Sequence, residues 1–372
     1  MKIQKLIARE ILNSAGKISI EVKLFTPLGV FISASPSGTS SGKHEVKFDI
    51  KKSIKMLNKM IVPEINSIEE IFELEKKFEK NQINTLPLIY ALIKALAFEK
   101  AKQPWELFNV QLPSKVLMFN KIVGGGLHAR ALTKFQEFLV CPISDSFDKN
   151  LEIAYDIHKS FGEEFEVFGR DLEGGWVTRM TTEEILEALN KKINEAKIKY
   201  KVDILLGVDV AASSFFKNKK YGYNSKKLDT NQQIEYISDL IEKYNIYYIE
   251  DPFNEEDFDS FKIFKNKFPN KMICGDDLTV TSIPLFMKAI KKDAINSIIV
   301  KPNQVGYIYK TKELCEIAKR YKVKTIISHR SQETNDDTLS DMCIGLNCDF
   351  MKIGLFGGER VAKLNRLKEI LR

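Results

Sequence analysis

Asp209, Glu250 and Asp276 each stand at the end of a short apolar run, or one residue past it: Ile204–Asp209, Ile246–Glu250 and Met272–Gly275. Lys301 follows a fourth such run, Ser297–Val300. His329-Arg330-Ser331 follow Thr325–Ser328, and Lys352 lies inside Phe350–Ile353. Upstream, Glu137 sits within Phe135–Val140, and Glu173 comes shortly after Phe165–Phe168. A single acid after a strand means little, because Asp also caps helices. A succession of acids followed by two lysines and a basic triplet is not explained by capping.

Three carboxylates gathered in one cleft repel one another unless a cation neutralises them. Asp209, Glu250 and Asp276 offer hard oxygen donors, a set that suits Mg²⁺ better than zinc. Lys301 and Lys352 add positive charge, and a lysine beside other cations has its pKa lowered and serves as a general base. The substrate that fits is an anion whose charge grows during reaction.

These residues need a scaffold that brings strand ends together. Residues 1–113 read as a small α+β unit. Ile18–Phe25 alternates apolar and polar, Pro27-Leu28-Gly29 turns the chain into Val30–Ser33, and helical periodicity runs from about Ser53 to Phe108. After Pro113 short apolar strands, beginning with Val116–Asn120, alternate with helical stretches such as Thr182–Lys197 and Asn231–Tyr244. Roughly eight βα repeats over about 250 residues is the size of a TIM-type (β/α)8 barrel. Residues 114–372 are therefore expected to form it. In such barrels the chemistry gathers at the C-terminal ends of the strands.

Composition removes other classes. With 44% hydrophobic and 29% charged residues over 372 positions, the chain is globular rather than disordered. No apolar run is long enough for a membrane span, and the opening MKIQKLIARE is no signal peptide. Five cysteines, Cys141, Cys274, Cys315, Cys343 and Cys348, form no CxxC pair, so a cytoplasmic protein without disulfides is expected. The net charge of +7 comes from scattered Lys rather than clustered Arg, which argues against nucleic acid as a partner. Gly124-Gly125-Gly126 lacks the Lys of a phosphate-binding loop and reads as a turn before His128. His44 and His158 are expected at solvent-facing positions.

Along nearly its whole length the chain resembles the enolases. The resemblance rests on Pro36-Ser-Gly-Thr-Ser-Ser-Gly42, His128-Ala129, Phe135-Gln136-Glu137-Phe138 and Glu173-Gly174-Gly175. It continues through Glu250-Asp251-Pro252-Phe253, Asp276-Asp277-Leu278-Thr279-Val280-Thr281, Ser328-His329-Arg330-Ser331 and Lys352-Ile-Gly354. The resemblance implies a modified (β/α)8 barrel carrying a smaller α+β N-terminal domain. It also implies Mg²⁺-dependent dehydration of 2-phosphoglycerate to phosphoenolpyruvate. Asp209, Glu250 and Asp276 would hold one Mg²⁺, and Ser40, in the mobile loop 36–42, a second. Lys301 would be the base, and Glu173, assisted by Glu137, the acid. Lys352 would stabilise the enolate, Arg330 and Ser331 would grip the phosphate, and His128 and His329 would line the substrate. A homodimer or higher homo-oligomer is the implied assembly.

Several positions leave the pattern. Ala15 replaces an interface Arg, so an altered dimer contact is expected. Leu172 replaces the Asp before Glu173, removing a carboxylate beside the expected acid. Ser214, Gly124, Leu127, Arg130 and Gln332 also differ, and the chain is short for the family. These changes motivate an alternative: a paralogue acting on another 2-phospho or 2-hydroxy acid, or a binding protein without catalysis.

Overall fold

The computed structural model describes residues 1–38, 42–81, 83–129 and 131–372. Ser40 and Arg130 lie outside the described residues. The chain opens with an antiparallel sheet of β1 (Lys5–Leu12), β2 (Ile18–Thr26) and β3 (Gly29–Ala34). Alternation makes the sheet one-sided: Ile20, Val22 and Leu24 are buried, while Glu21 and Lys23 between them are partly exposed. Helices α1 (Ile50–Leu57) and α2 (Ile68–Lys76) start where Asp49 and Ser67 side chains accept the N–H groups of Lys52 and Glu70. Helix α3 (Leu86–Glu99) is apolar on nearly every side and packs against β2 and β3.

A buried carboxyl group is among the contacts that tie this region to the rest. Glu75 of α2 is fully buried and accepts the N–H groups of Ile308 (2.8 Å) and Tyr309 (2.9 Å). These open the helix Ile308–Arg320, whose own N-cap Tyr307 supplies no side-chain acceptor. Burial pushes the Glu75 carboxyl up to about 8, against the pull of those two donors. A carboxyl raised in this way favours the fold below its unfolded pKa of about 4.3, and that contribution is lost as pH rises through the folded value. Urea unfolding from about pH 5 to about pH 8 should therefore show wild type losing stability relative to Glu75→Gln. Parallel stability curves for the two proteins would refute the assignment.

The barrel begins with β4 (Leu117–Gly124) and β5 (Glu137–Ile143), followed by α4 (Phe147–Glu164), the short β6 (Trp176–Val177) and α5 (Thr182–Tyr200). Next come β7 (Asp203–Asp209) and a separate small sheet of β8 (Phe216–Lys217), β9 (Lys220–Gly222) and β10 (Lys227–Leu228). β11 (Tyr248–Glu250), β12 (Met272–Gly275), β13 (Ser297–Val300), β14 (Lys324–Ser328) and β15 (Phe350–Gly354) complete it. The ring runs β4-β5-β7-β11-β12-β13-β14-β15 and closes through pairing of β15 with β4.

Two local expectations are corrected. No helix separates β4 from β5, and β5 runs antiparallel to both β4 and β7, so the barrel does not open with a βα repeat. Phe165–Phe168 is not a strand: Phe165 caps α4, and the segment lies beside β6, with the Phe168 N–H donating to the Val177 carbonyl at 2.8 Å.

The barrel interior is layered by the two-residue period of its strands. Phe119, Leu139, Tyr248, Cys274, Ile299 and Ile326 belong to an apolar plug of their own, with Phe119 stacked on Tyr248 at 4.4 Å between ring centroids. Two residues further toward the mouth, the same strand faces carry Lys121, Glu137, Glu250, Asp276, Lys301 and Ser328, and Lys352 follows Phe350 in the same way. All five cysteines are buried and unpaired. Among the described residues no helix is long and apolar enough to cross a membrane.

Candidate active site

Lys352 is the hub of the charged layer. Its ammonium lies 3.2 Å from Glu137, 3.0 Å from Asp209 and 2.7 Å from Glu250, in a pocket that leaves all four side chains almost fully buried. Burial works against its charge, but Asp209, Glu137 and Glu250 outweigh that and hold its pKa well above the ordinary lysine value. Glu250 responds in the opposite sense: burial, then the proximity of Asp209, push its carboxyl well up. Glu137 is likewise raised by burial and by Glu173. One oxygen each of Glu250 (Oε1) and Glu137 (Oε2) is buried without a hydrogen-bond partner. Buried unpaired carboxylate oxygens are costly, and carboxylate oxygens are hard donors of the kind a divalent cation takes.

Asp276 is engaged separately, in an ion pair with Lys301. Burial opposes charge on both partners, yet the pairing lowers the Asp276 pKa and raises that of Lys301. Asp276 also groups closely with Asp251 and Asp277. Asp251 is occupied in shaping the loop, accepting the N–H groups of Asp276 (3.1 Å) and Asp277 (2.6 Å).

Across the mouth, Glu173 receives Lys121 (2.7 Å) and His128 Nδ1 (3.1 Å), with His329 Nε2 at 4.0 Å. Burial would raise its pKa, but His128, Lys121 and His329 hold it well below the usual carboxylate range. His329 is buried and kept neutral, its pKa driven well down by burial. Its Nδ1 accepts the Arg360 guanidinium at 3.0 Å, so Nε2 carries the proton toward Glu173. Arg330 is buried, with Glu45 at 2.9 Å and Asn303 at 3.0 Å, and Ser331 is buried beside it.

His158 corrects an expectation. It is fully buried, packed on Trp176 and Phe356, and its Nε2–H donates to the Gly174 carbonyl at 2.9 Å. Burial lowers its pKa to about 4, so it is a neutral prop for the turn that carries Glu173. His44 is exposed, as expected, beside Glu256. Gln332 also finds a use: backbone hydrogen bonds in both directions and its side-chain oxygen fasten Ser37, at the base of loop 36–42.

Residues 110–372 match the family described as the enolase C-terminal TIM barrel domain. The chain belongs to the enolase family. This places it among the lyases, and its similarity to archaeal enolases extends over the whole chain. It is 32% identical to the enolase of Methanocorpusculum labreanum, covering 99% of this chain and 98% of that protein. It is 33% identical to the enolase of Saccharolobus solfataricus (99% and 95%) and 30% identical to that of Archaeoglobus fulgidus (100% and 97%). The first alignment runs over 399 positions, so the shortness of this enolase relative is made of internal gaps. Sequence reasoning missed two residues of the site, Lys121 and Asp171, the latter 2.8 Å from the Lys121 ammonium.

Proposed function

We propose that this chain dehydrates 2-phosphoglycerate to phosphoenolpyruvate and water in its barrel, residues 114–372, with residues 1–113 as a capping unit. The observation that carries this reading is the division of one buried charged layer into two halves. One half is a lysine against an acid, Lys301 with Asp276. The other is an acid against a lysine, Glu173 with Lys121. A base and an acid drawn from different parts of the same mouth are what elimination of water across two carbons requires.

Asp209, Glu250 and Asp276 would hold Mg²⁺, with Ser40 serving a second ion. Bound Mg²⁺ would take over neutralisation of these carboxylates and polarise the substrate carboxylate. Lys301, released from Asp276, removes the proton on C2. Lys352 remains a cation facing the charge that develops on the substrate carboxylate. The electron pair left on C2 forms the double bond as the C3 hydroxyl departs with a proton from Glu173; the free protein holds this carboxyl ionised, so Glu173 takes that proton up from solvent before the hydroxyl leaves, with Glu137 beside it. Arg330 and Ser331 bind the phosphate; a planar guanidinium matches its oxygens. His128 and His329 complete the walls around the substrate. Purified protein supplied with 2-phosphoglycerate and Mg²⁺ should generate the absorbance of phosphoenolpyruvate, and EDTA should abolish it. Protein that is folded and Mg²⁺-loaded but produces no such absorbance would overturn the reading.

A further inference from the structure

A lysine in the middle of a barrel strand, with its side chain fully buried, needs a reason. Lys121 sits in β4 at a register irregularity between Lys121 and Val123 in the pairing with β5. Its ammonium meets three groups: Asp171 Oδ2 at 2.8 Å, Glu173 Oε2 at 2.7 Å and His128 Nδ1 at 2.9 Å. Asp171 is itself fixed, because its Oδ1 accepts the N–H groups of Glu173 (2.9 Å) and Gly175 (3.0 Å). The backbone is cut back to admit the pair. A Cβ on Gly124 would fall 1.8 Å from Asp171 Oδ2, and one on Gly175 would lie 3.0 Å from Lys121 Cε. The carboxylate that Leu172 removes is thus supplied one residue earlier, on a turn that closes around Lys121.

The contacts to Glu173 are one-sided. Lys121 donates to Oε2, and His128 Nδ1 (3.1 Å) and His329 Nε2 (4.0 Å) lie nearest the same oxygen, while Oε1 has no hydrogen bond to any described residue. A carboxyl group held by one oxygen has its rotation fixed and its other oxygen available.

We propose that the Lys121–Asp171 pair is a positioning device for Glu173: it pins Oε2 in the barrel wall so that Oε1 is the oxygen that meets the departing hydroxyl. This rests on the dehydration reading above. Lys121 acts through Glu173 and touches no substrate. Because the pinned carboxylate is also stabilised as an anion, the pair governs when Glu173 takes up its proton. Removing it moves Glu173 toward an ordinary carboxyl group.

The test compares wild type with Lys121→Arg and with the double variant Lys121→Met/Asp171→Asn, which leaves no buried charge stranded. Three readouts are needed: the Glu173 carboxyl signal by ¹³C NMR titration of the free protein, assigned with Glu173→Gln; kcat and KM for dehydration; and exchange of the C2 hydrogen of 2-phosphoglycerate in D₂O. In the double variant Glu173 should titrate more than about one pH unit higher. Dehydration kcat should fall by about 100-fold. KM and C2 exchange should stay within about threefold, since Lys301 is untouched, and Lys121→Arg should restore much of the titration behaviour. A double variant whose Glu173 titrates as in wild type, with exchange and dehydration falling in step, would overturn the positioning role. Wild-type protein without turnover, but with a Glu173 titration that still depends on Lys121, would instead overturn the dehydration reading and leave the pair's hold on Glu173 standing.

Discussion

Replacing Lys301 with alanine should abolish both dehydration and C2 hydrogen exchange, a loss of up to about 10⁴-fold in kcat. Lys301 is the lysine at the mouth paired with a single carboxylate, Asp276, rather than embedded among several. That makes it the one whose amine is freed by a single change of partner. Lys352, by contrast, is clamped by three carboxylates and cannot give up its proton while they remain ionised. The two lysines therefore differ in role because their neighbourhoods differ in the number of acids. Exchange measured in D₂O separates base loss from acid loss. Substantial exchange surviving in Lys301→Ala would remove Lys301 from the role of base.

Lys352→Met should damage stability as well as catalysis. Removing the shared partner leaves Glu137, Asp209 and Glu250 buried beside one another with no counter-charge. Breaking a buried pair in this way costs about 3–5 kcal/mol. Urea unfolding in EDTA should register that loss, and Mg²⁺ should restore part of it by replacing the missing positive charge. Catalysis should fall by about 100- to 1,000-fold, the scale of removing one group that stabilises a developing anion. Unfolding in EDTA that matches wild type would show that the three acids do not depend on Lys352.

The expected strand ends at Asp209, Glu250, Asp276, Lys301 and Lys352 were readable because period-two alternation sets which face of a strand points inward. A charged residue on an otherwise apolar inner face is therefore conspicuous. Direction was not readable. The antiparallel course of β5 leaves the alternation of Phe135–Val140 unchanged, and only its pairing with β4 and β7 reveals it. Phe165–Phe168 has strand composition but ends a helix and lies beside a two-residue strand. His158 looked like a helix-surface residue because its cover, Trp176 and Phe356, comes from distant parts of the chain. Lys121 was not legible because it lies one residue past the expected strand Val116–Asn120, whereas β4 runs on to Gly124. Its signal was the neighbouring Gly124, where the family pattern has a larger residue. Asp171 was not legible because the family pattern puts its carboxylate one residue later, at the position Leu172 occupies.

The apolar plug beneath the charged layer has a consequence for what can enter from above. Phe119, Tyr248 and their neighbours seal the floor, so the layer has no aqueous screening from below and must settle its charges internally. Among the described residues, six carboxyl groups, Glu137, Asp171, Glu173, Asp209, Glu250 and Asp276, share the ammonium groups of Lys121, Lys301 and Lys352, and the crowding pushes Glu137 and Glu250 toward keeping their protons. On the dehydration reading, an anionic substrate arriving alone would meet this excess of carboxyl groups, whereas a divalent cation bound first would relieve it. Electroneutrality would then couple the two kinds of ligand, each raising the affinity for the other by the same factor.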